Sequence, residues 1–329
     1  MHFKKRQVSP KLTLKEFHER RNKILIIRTS RGIGDILACR MLFEDFKQLM
    51  PEAYLVFACP VKYHDLLLGH PYLDEVVDSE RLNVTDYMIS YNISQCCILR
   101  ESAAAPLIEK PRPDIWAEHC GVKLSKHEMY LPFLTRDKVH AGEIRVNKLQ
   151  GMMGCPRHIK RVLLCPAAHE PMRTLTNEQI EGVVDYLHKK KFFVYATHNV
   201  DIPLLRQLGV PLLRDFSFQE WMSFIHAADY VVSVDTASFH YAGGIRKPLT
   251  GIFTYVDGKL RGKYYDFVLV QKHRDNGEWP CGPCFAWTEC SHSKCQNPGP
   301  VFEHKPCMTE LSVGEICHGI DKMLERWPS

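Results

Sequence analysis

Five cysteines crowd one short stretch near the C-terminus: Cys281, Cys284, Cys290, Cys295 and Cys307, out of 13 in the chain. A Cys-x-x-Cys pair followed by further cysteines fits a tetrahedral thiolate site for a structural metal. Zinc is the default occupant, and four thiolates also suit iron. His292 and His304 are spare ligand candidates. The bland alternative is a chance crowding of loop thiols. Exposed free thiols so close together would be prone to oxidation, so the metal reading outweighs it. The other eight cysteines are scattered and read as small core residues.

Three polar motifs could act on a substrate. Gly32-Ile33-Gly34-Asp35 follows an apolar run. Its glycines allow a tight turn and the close approach of a ligand. It is not a dinucleotide fingerprint, because Leu37 stands where the third glycine would be. It is not a P-loop, because no Gly-Lys-Ser/Thr follows. Asp35 is either a helix cap or a general base for an acceptor hydroxyl. Pro166-Ala167-Ala168-His169 leads to Arg173, which is either a solvated arginine or a clamp on a diphosphate. Asp235-Thr236-Ala237, with His240 one turn on, offers free helix-start amides and a hydroxyl to a phosphate. Its bland alternative is simple capping by Asp235 with His240 in the core.

These motifs need a frame that puts them at strand ends. Ile24 to Ile27 is a continuous apolar run, as in a strand buried on both faces. A helix is expected from Ile36 to Met50, ended by Pro51. Strands are expected over Ala53 to Cys59, Glu75 to Val77 and Tyr87 to Ile93, and a short helix over Ile115 to Cys120. Few strand signals occur between His140 and Arg157, and the domain boundary is placed there. A second series opens with a strand at Arg161 to Cys165. Thr176-Asn177-Glu178-Gln179 is a capping box opening a helix to about Lys190. A strand at Phe192 to Thr197 and a helix from Pro203 to Leu208, closed by Gly209, follow. Ser217-Phe218-Gln219-Glu220 is a second capping box. Strands at Tyr230 to Val234 and Leu249 to Phe253 flank a short helix ending at Gly243-Gly244. Alternating strands and helices mean parallel sheets. The expected fold is α/β, with two tandem Rossmann-like doubly wound domains over residues 1–150 and 151–329. In such sheets ligands lie beyond the carboxyl ends of the strands, where each of the three polar motifs falls.

Composition narrows the class. The chain has 329 residues, 45% hydrophobic and 25% charged, which is ordinary for globular proteins and enough for two cores. A net charge of +5 permits an anionic ligand without requiring nucleic acid. No basic, aromatic-interleaved strip accompanies the cysteines, which argues against a nucleic-acid module. No apolar run reaches the ~20 residues of a membrane span, and Met1 to Arg21 lacks the apolar core of a secretory signal. A cytoplasmic protein, with at most peripheral membrane contact, is expected.

Taken together, the chain from Ile24 to about Ile316 resembles glycosyltransferase family 9, the ADP-heptose transferases. Ile24-Leu25-Ile26-Ile27-Arg28 leading to Gly34-Asp35 is similar to the family's opening strand and catalytic aspartate. Pro166-Ala167 with Arg173 is similar to its donor-phosphate segment, where the family usually has lysine. Ser233-Val234-Asp235-Thr236-Ala237, with His240 and Ala242, resembles its Asp-Ser-Gly-x-x-His-x-Ala motif, with Thr and Ala in place of Ser and Gly. Pro280-Cys281-Gly282-Pro283-Cys284-Phe285, then Cys290 and Cys307-Met308, resembles the cysteine tail of family members, including an iron-binding finger in protein heptosyltransferases that modify autotransporters. The resemblance implies a GT-B fold and an inverting, single-displacement transfer of a heptose-like sugar. The donor would be a nucleotide diphosphate, an ADP-sugar in this family. The acceptor hydroxyl would belong to a saccharide, a protein or another molecule. It implies Asp35 as base and Arg173 beside the leaving diphosphate. Gly34, Ala167, Asp235, Thr236, Ala237 and His240 would line the donor site, with Thr197 and His198 near the nucleoside. It implies Cys281, Cys284, Cys290 and Cys307 as metal ligands, with Cys295 as substitute, and no catalytic divalent cation. The alternative is a non-catalytic nucleotide-sugar-binding or assembly protein on the same fold.

Overall fold

The computed structural model describes residues 22–30, 32–105, 108–131, 134–272, 283–285 and 305–328. Its strands form two sheets whose pairings are all parallel. The first contains β1 (Lys23–Ile27), β2 (Tyr54–Cys59), β3 (Glu75–Asp78) and β4 (Ile89–Asn92) in the order β3-β2-β1-β4. The second contains β5 (Arg161–Cys165), β6 (Phe193–Thr197), β7 (Leu212–Leu213), β8 (Tyr230–Val234), β9 (Leu249–Ile252) and β10 (Val268–Val270), in the order β10-β9-β8-β5-β6-β7. β5, β6 and β8 are buried almost throughout, as a sheet covered on both faces requires.

Each sheet reverses its winding once, beside its first strand. In the first, the chain runs outward from β1 to β3 and returns to lay β4 on the other side of β1. In the second, β8 returns to the far side of β5. These switch points, β1/β4 and β5/β8, open crevices at the carboxyl ends of the strands. The three polar motifs follow β1, β5 and β8.

The helices of the first half are α1 (Ile33–Cys39), α2 (Phe43–Leu49), α3 (Cys96–Ala104), α4 (Arg112–His119) and α5 (Arg136–Met152). The single helix expected from Ile36 to Met50 is two helices joined by a 3-10 turn at Arg40–Leu42. The break falls at a buried arginine. Arg40 donates to the carbonyls of Met129, Tyr130, Leu66 and Leu68, tying three segments together. The second half contributes α6 (Asn177–Lys189), α7 (Pro203–Gln207), α8 (Phe218–His226), α9 (Ala237–Gly244), α10 (Gly258–Arg261), α11 (Pro306–Thr309) and α12 (Val313–Arg326). The capping boxes at Thr176 and Ser217 form, and a third at Ser312 opens α12. α12 packs on β9, β10 and α6, and α5 lies along α8. One apolar cluster runs from Ile24 and Phe43 through Trp116 to Trp221 and Phe239, so the two halves share a continuous core. No helix among the described residues is long and apolar enough to cross a membrane.

Candidate functional site

Gly32 starts α1 with φ at 130°, a backbone that side chains rarely tolerate. It caps α1 without a side-chain bond, so Asp35 in the first turn is not the helix cap. Its carboxylate turns instead to two guanidiniums. Arg28, at the end of β1, donates to Oδ2 at 2.8 Å, and Arg112, at the start of α4, donates to the same oxygen at 2.6 Å. Arg28 is itself fixed over the Trp116 ring, 5.1 Å from its centroid. Burial raises the Asp35 carboxyl, but Arg112, Arg28 and Arg261 outweigh it and hold the group well below the usual carboxylate range. Asp35 is ionised at any working pH.

Arg112 is anchored from behind. Its Nε and Nη2 donate to the two oxygens of Glu101 on α3, at 2.8 and 2.7 Å. Glu101 is 2% exposed, and Arg261 at the end of α10 approaches it to 3.8 Å. Asp35, Arg112, Arg261, His240 and Tyr265 line one cavity. Arg112, Glu101, Arg261 and Tyr265 escaped the sequence reading, because their roles depend on long-range approach. Pro111-Arg112-Pro113, an arginine fixed between two prolines, is the one local signal that could have flagged any of them.

The second half meets this cavity through α9. Gly34 faces His240 so closely that a Cβ there would lie 2.4 Å from the ring's Cδ2. The His240 ring contacts the Tyr265 hydroxyl at 3.1 Å and lies 4.0 Å from Asp235. Burial lowers His240 to about 4 against the opposing pull of Asp235, so the ring is neutral near pH 7. Asp235 is buried at the end of β8. Burial raises it, and Arg173 and Arg261 reverse the shift, so it stays ionised. Arg173 closes a 3-10 turn after β5 and donates to the Asp235 carbonyl at 3.0 Å and to its Oδ2 at 3.3 Å. It is also bound to Glu170 at 2.5 Å. Thr236 precedes α9 without a side-chain cap bond; its hydroxyl lies 3.1 Å from that of Ser233. Thr236 and Ala237 are half-buried at the helix start.

Ala167 lies half-buried in the loop after β5. Thr197 ends β6, buried, with its hydroxyl 3.8 Å from the Cys165 thiol. His198 follows it, half-buried, and accepts from the Val200 amide. Of the residues expected at the site, only Asp35 and His240 line this cavity; Gly34, Ala167, Arg173, Thr197, His198, Asp235, Thr236 and Ala237 do not. Of the cysteine finger, Cys281, Cys290 and Cys295 lie outside the described residues. Cys284 and Cys307 are described, and both pack against Met172, Tyr255, Val256 and Phe285. No group of three metal-ligating side chains occurs among the described residues.

No protein-family model matches this chain, and no curated protein matches it in sequence. Solved structures do match its fold. The E. coli ADP-heptose LPS heptosyltransferase II is 13% identical with a TM-score of 0.62, over 92% of this chain and 99% of that one. A glycosyl transferase family 9 protein from Veillonella parvula is 9% identical with a TM-score of 0.67, over 94% and 99%. The iron-containing dodecameric glycosyltransferase TibC from enterotoxigenic E. coli is 13% identical with a TM-score of 0.65, over 92% and 76%. The chain therefore has the two-domain GT-B architecture of the family 9 heptosyltransferases.

Proposed function

We propose that this protein is a glycosyltransferase that moves a sugar from a nucleotide-diphosphate donor to an acceptor hydroxyl. The observation that carries the reading is the meeting of Asp35, from the first half, with His240 and Arg261, from the second, in one cavity. A sugar bound against this cavity would meet the Asp35 carboxylate of the first half and His240 and Arg261 of the second. Asp35 takes the proton of the acceptor hydroxyl as that oxygen attacks the anomeric carbon, which inverts its configuration. The bond to the diphosphate breaks on the opposite face. The amides of Thr236 and Ala237 stabilise the departing charge, and Arg173 adds a fixed positive charge behind Asp235. A donor of the ADP-heptose type is proposed because two proteins of the same fold, the E. coli ADP-heptose LPS heptosyltransferase II and TibC in complex with ADP-D-beta-D-heptose, use or bind it.

The ion pairs around Asp35 bear on the chemistry. A carboxylate this strongly held is a weak base, so the acceptor must work through Oδ1, which takes no hydrogen bond among the described residues, or displace Arg112 from Oδ2. The same lock is the one observation that favours a non-catalytic nucleotide-sugar-binding protein. Turnover separates the two. Purified protein is screened against a panel of nucleotide sugars, with release of the nucleoside diphosphate as the readout. At least one donor is turned over, and Asp35→Asn lowers that rate roughly 10²- to 10⁴-fold. A normal rate in the variant sinks the base assignment, and binding without turnover establishes the alternative.

Cys281, Cys284, Cys290 and Cys307 are proposed to hold a structural metal, with Cys295 in reserve and zinc or iron as the occupant. TibC, which shares the fold, is iron-containing. Metal analysis of protein purified without chelator should give about one zinc or iron per chain. Serine at both Cys284 and Cys307 should abolish it, and retention of metal by that variant refutes the ligand set.

A further inference from the structure

Two arginines of the second half stand near the place where a diphosphate would leave, and they differ in what already holds them. Arg173 is fully engaged, bound to Glu170 at 2.5 Å and to two oxygens of Asp235. Arg261 is not. Its side chain is 9% exposed, and its nearest carboxylate is Glu101, at an ion-pair distance of 3.8 Å that is too long for a hydrogen bond. Glu101 already takes two short bonds from Arg112. No hydrogen bond from the Arg261 guanidinium occurs among the described residues, and Arg261 lines the cavity, so its N–H donors are open to a ligand there. A guanidinium that lines a cavity without a hydrogen-bonded carboxylate of its own among the described residues is suited to hold an anion.

We propose that Arg261 binds the sugar-bearing phosphate of the donor and receives the charge that develops on it during transfer. This rests on the glycosyltransferase reading. As the acceptor oxygen bonds to the anomeric carbon and Asp35 takes its proton, the carbon–oxygen bond to the distal phosphate breaks. Its electron pair stays on the phosphate oxygen, where the planar guanidinium meets it with two parallel donors. Arg173 acts from further back, through its bonds to Asp235. Arg261 stands on the second half and points at the base of the first, across the span that the transferred sugar must fill.

The test is calorimetric titration of the wild type, Arg261→Gln and Arg261→Lys with ADP and AMP, and with UDP and UMP because the base is open. Thermal melting checks that each variant is folded. Arg261→Gln should weaken the diphosphate roughly 10- to 100-fold while leaving the monophosphate within about twofold. Arg261→Lys keeps a point charge without the fork and should fall between them. It decides the matter if the glutamine variant does not fold. Unchanged diphosphate affinity in a folded variant overturns the role of Arg261 and leaves the donor reading standing. An equal loss for diphosphate and monophosphate also overturns it, since that marks general damage. A wild type that binds none of the four nucleotides overturns the donor reading and this inference with it.

Discussion

The two halves of this molecule are both parallel α/β units, yet they are held together by different means. In the first half, α1 to α5 all start without a side-chain cap. Order there comes from buried arginines that tie segments together: Arg40 to four carbonyls, Arg112 to nearby Glu101 and to Asp35, 77 residues away, and Arg28 to Asp35, seven residues on. In the second half α6, α8 and α12 each open with a full capping box, and Asp257 caps α10. The carboxylates do not follow this division: Asp235 is held by Arg173, 62 residues away, and Asp35 by Arg28, seven residues away, and Arg112, 77 residues away. Several helices of the second half are thus started by local caps, whereas the first half leans on buried arginine ties.

The sharpest way to break this contrast is to remove the anchor of the acceptor side. Glu101 is buried and Arg112 leans on it, so Glu101→Ala leaves a buried guanidinium short of its partner. Loss of one member of a buried pair costs about 3 kcal/mol or more, and the low end applies because Arg112 keeps Asp35. Chemical denaturation should show that loss as a lower midpoint. Glu118 is the control: it pairs with Arg100 and Lys110 but is 42% exposed, and Glu118→Ala should change stability by less than about 0.5 kcal/mol. Equal effects at the two sites would mean that the Glu101–Arg112 pair does not hold the acceptor half together.

This contrast also sets what the sequence discloses. The second half was legible because capping boxes and strand–turn–helix junctions lie within a few residues of one another. Thr176, Ser217 and the Asp235-Thr236-Ala237 junction are found where their spacing places them. In the first half the strands were legible from apolar runs, but the helix after β1 was not divided, and α5 was read only as a lack of strand signals. Asp35 was singled out by its place after the glycines. Its partners were not, since nothing local ties Glu101 or Arg261 to residue 35. Chain folding alone brings them there. The cysteine finger is the reverse case, obvious in sequence and only partly within the described residues.

The seam between the halves gives a second test, smaller than the first. His240 belongs to the second half, but Gly34 of the first half packs directly against its ring. Burial lowers the ring from 6.5 to about 4. Between those values the unfolded chain binds the proton that the folded chain refuses. Stability is therefore constant above pH 6.5 on this account and falls as pH drops toward 4. At pH 5 the loss amounts to about 2 kcal/mol for this group. His240→Gln should remove that share of the pH dependence when melting is compared at pH 7 and pH 5. If the variant shows the same slope as the wild type, the ring is not sealed by the seam.

The smallest effect should come from the local devices of the donor half. Thr176 accepts from the Gln179 amide, and the Gln179 side chain accepts from the Thr176 amide. Thr176→Ala removes one bond of that box and should cost about 1 kcal/mol, read as a shift in the denaturation midpoint with an unchanged slope. Gln179 must stay in place to keep this test clean, because its amide group also donates to the carbonyls of Met308 and Leu311 and so ties α6 to the segment before α12. Nucleotide affinity should not move in Thr176→Ala, since the cap lies at the start of α6 and away from the cavity. A loss much above 1 kcal/mol, or a weaker nucleotide, would show that the donor half also depends on coupling between distant parts, and the distinction between the halves would fall.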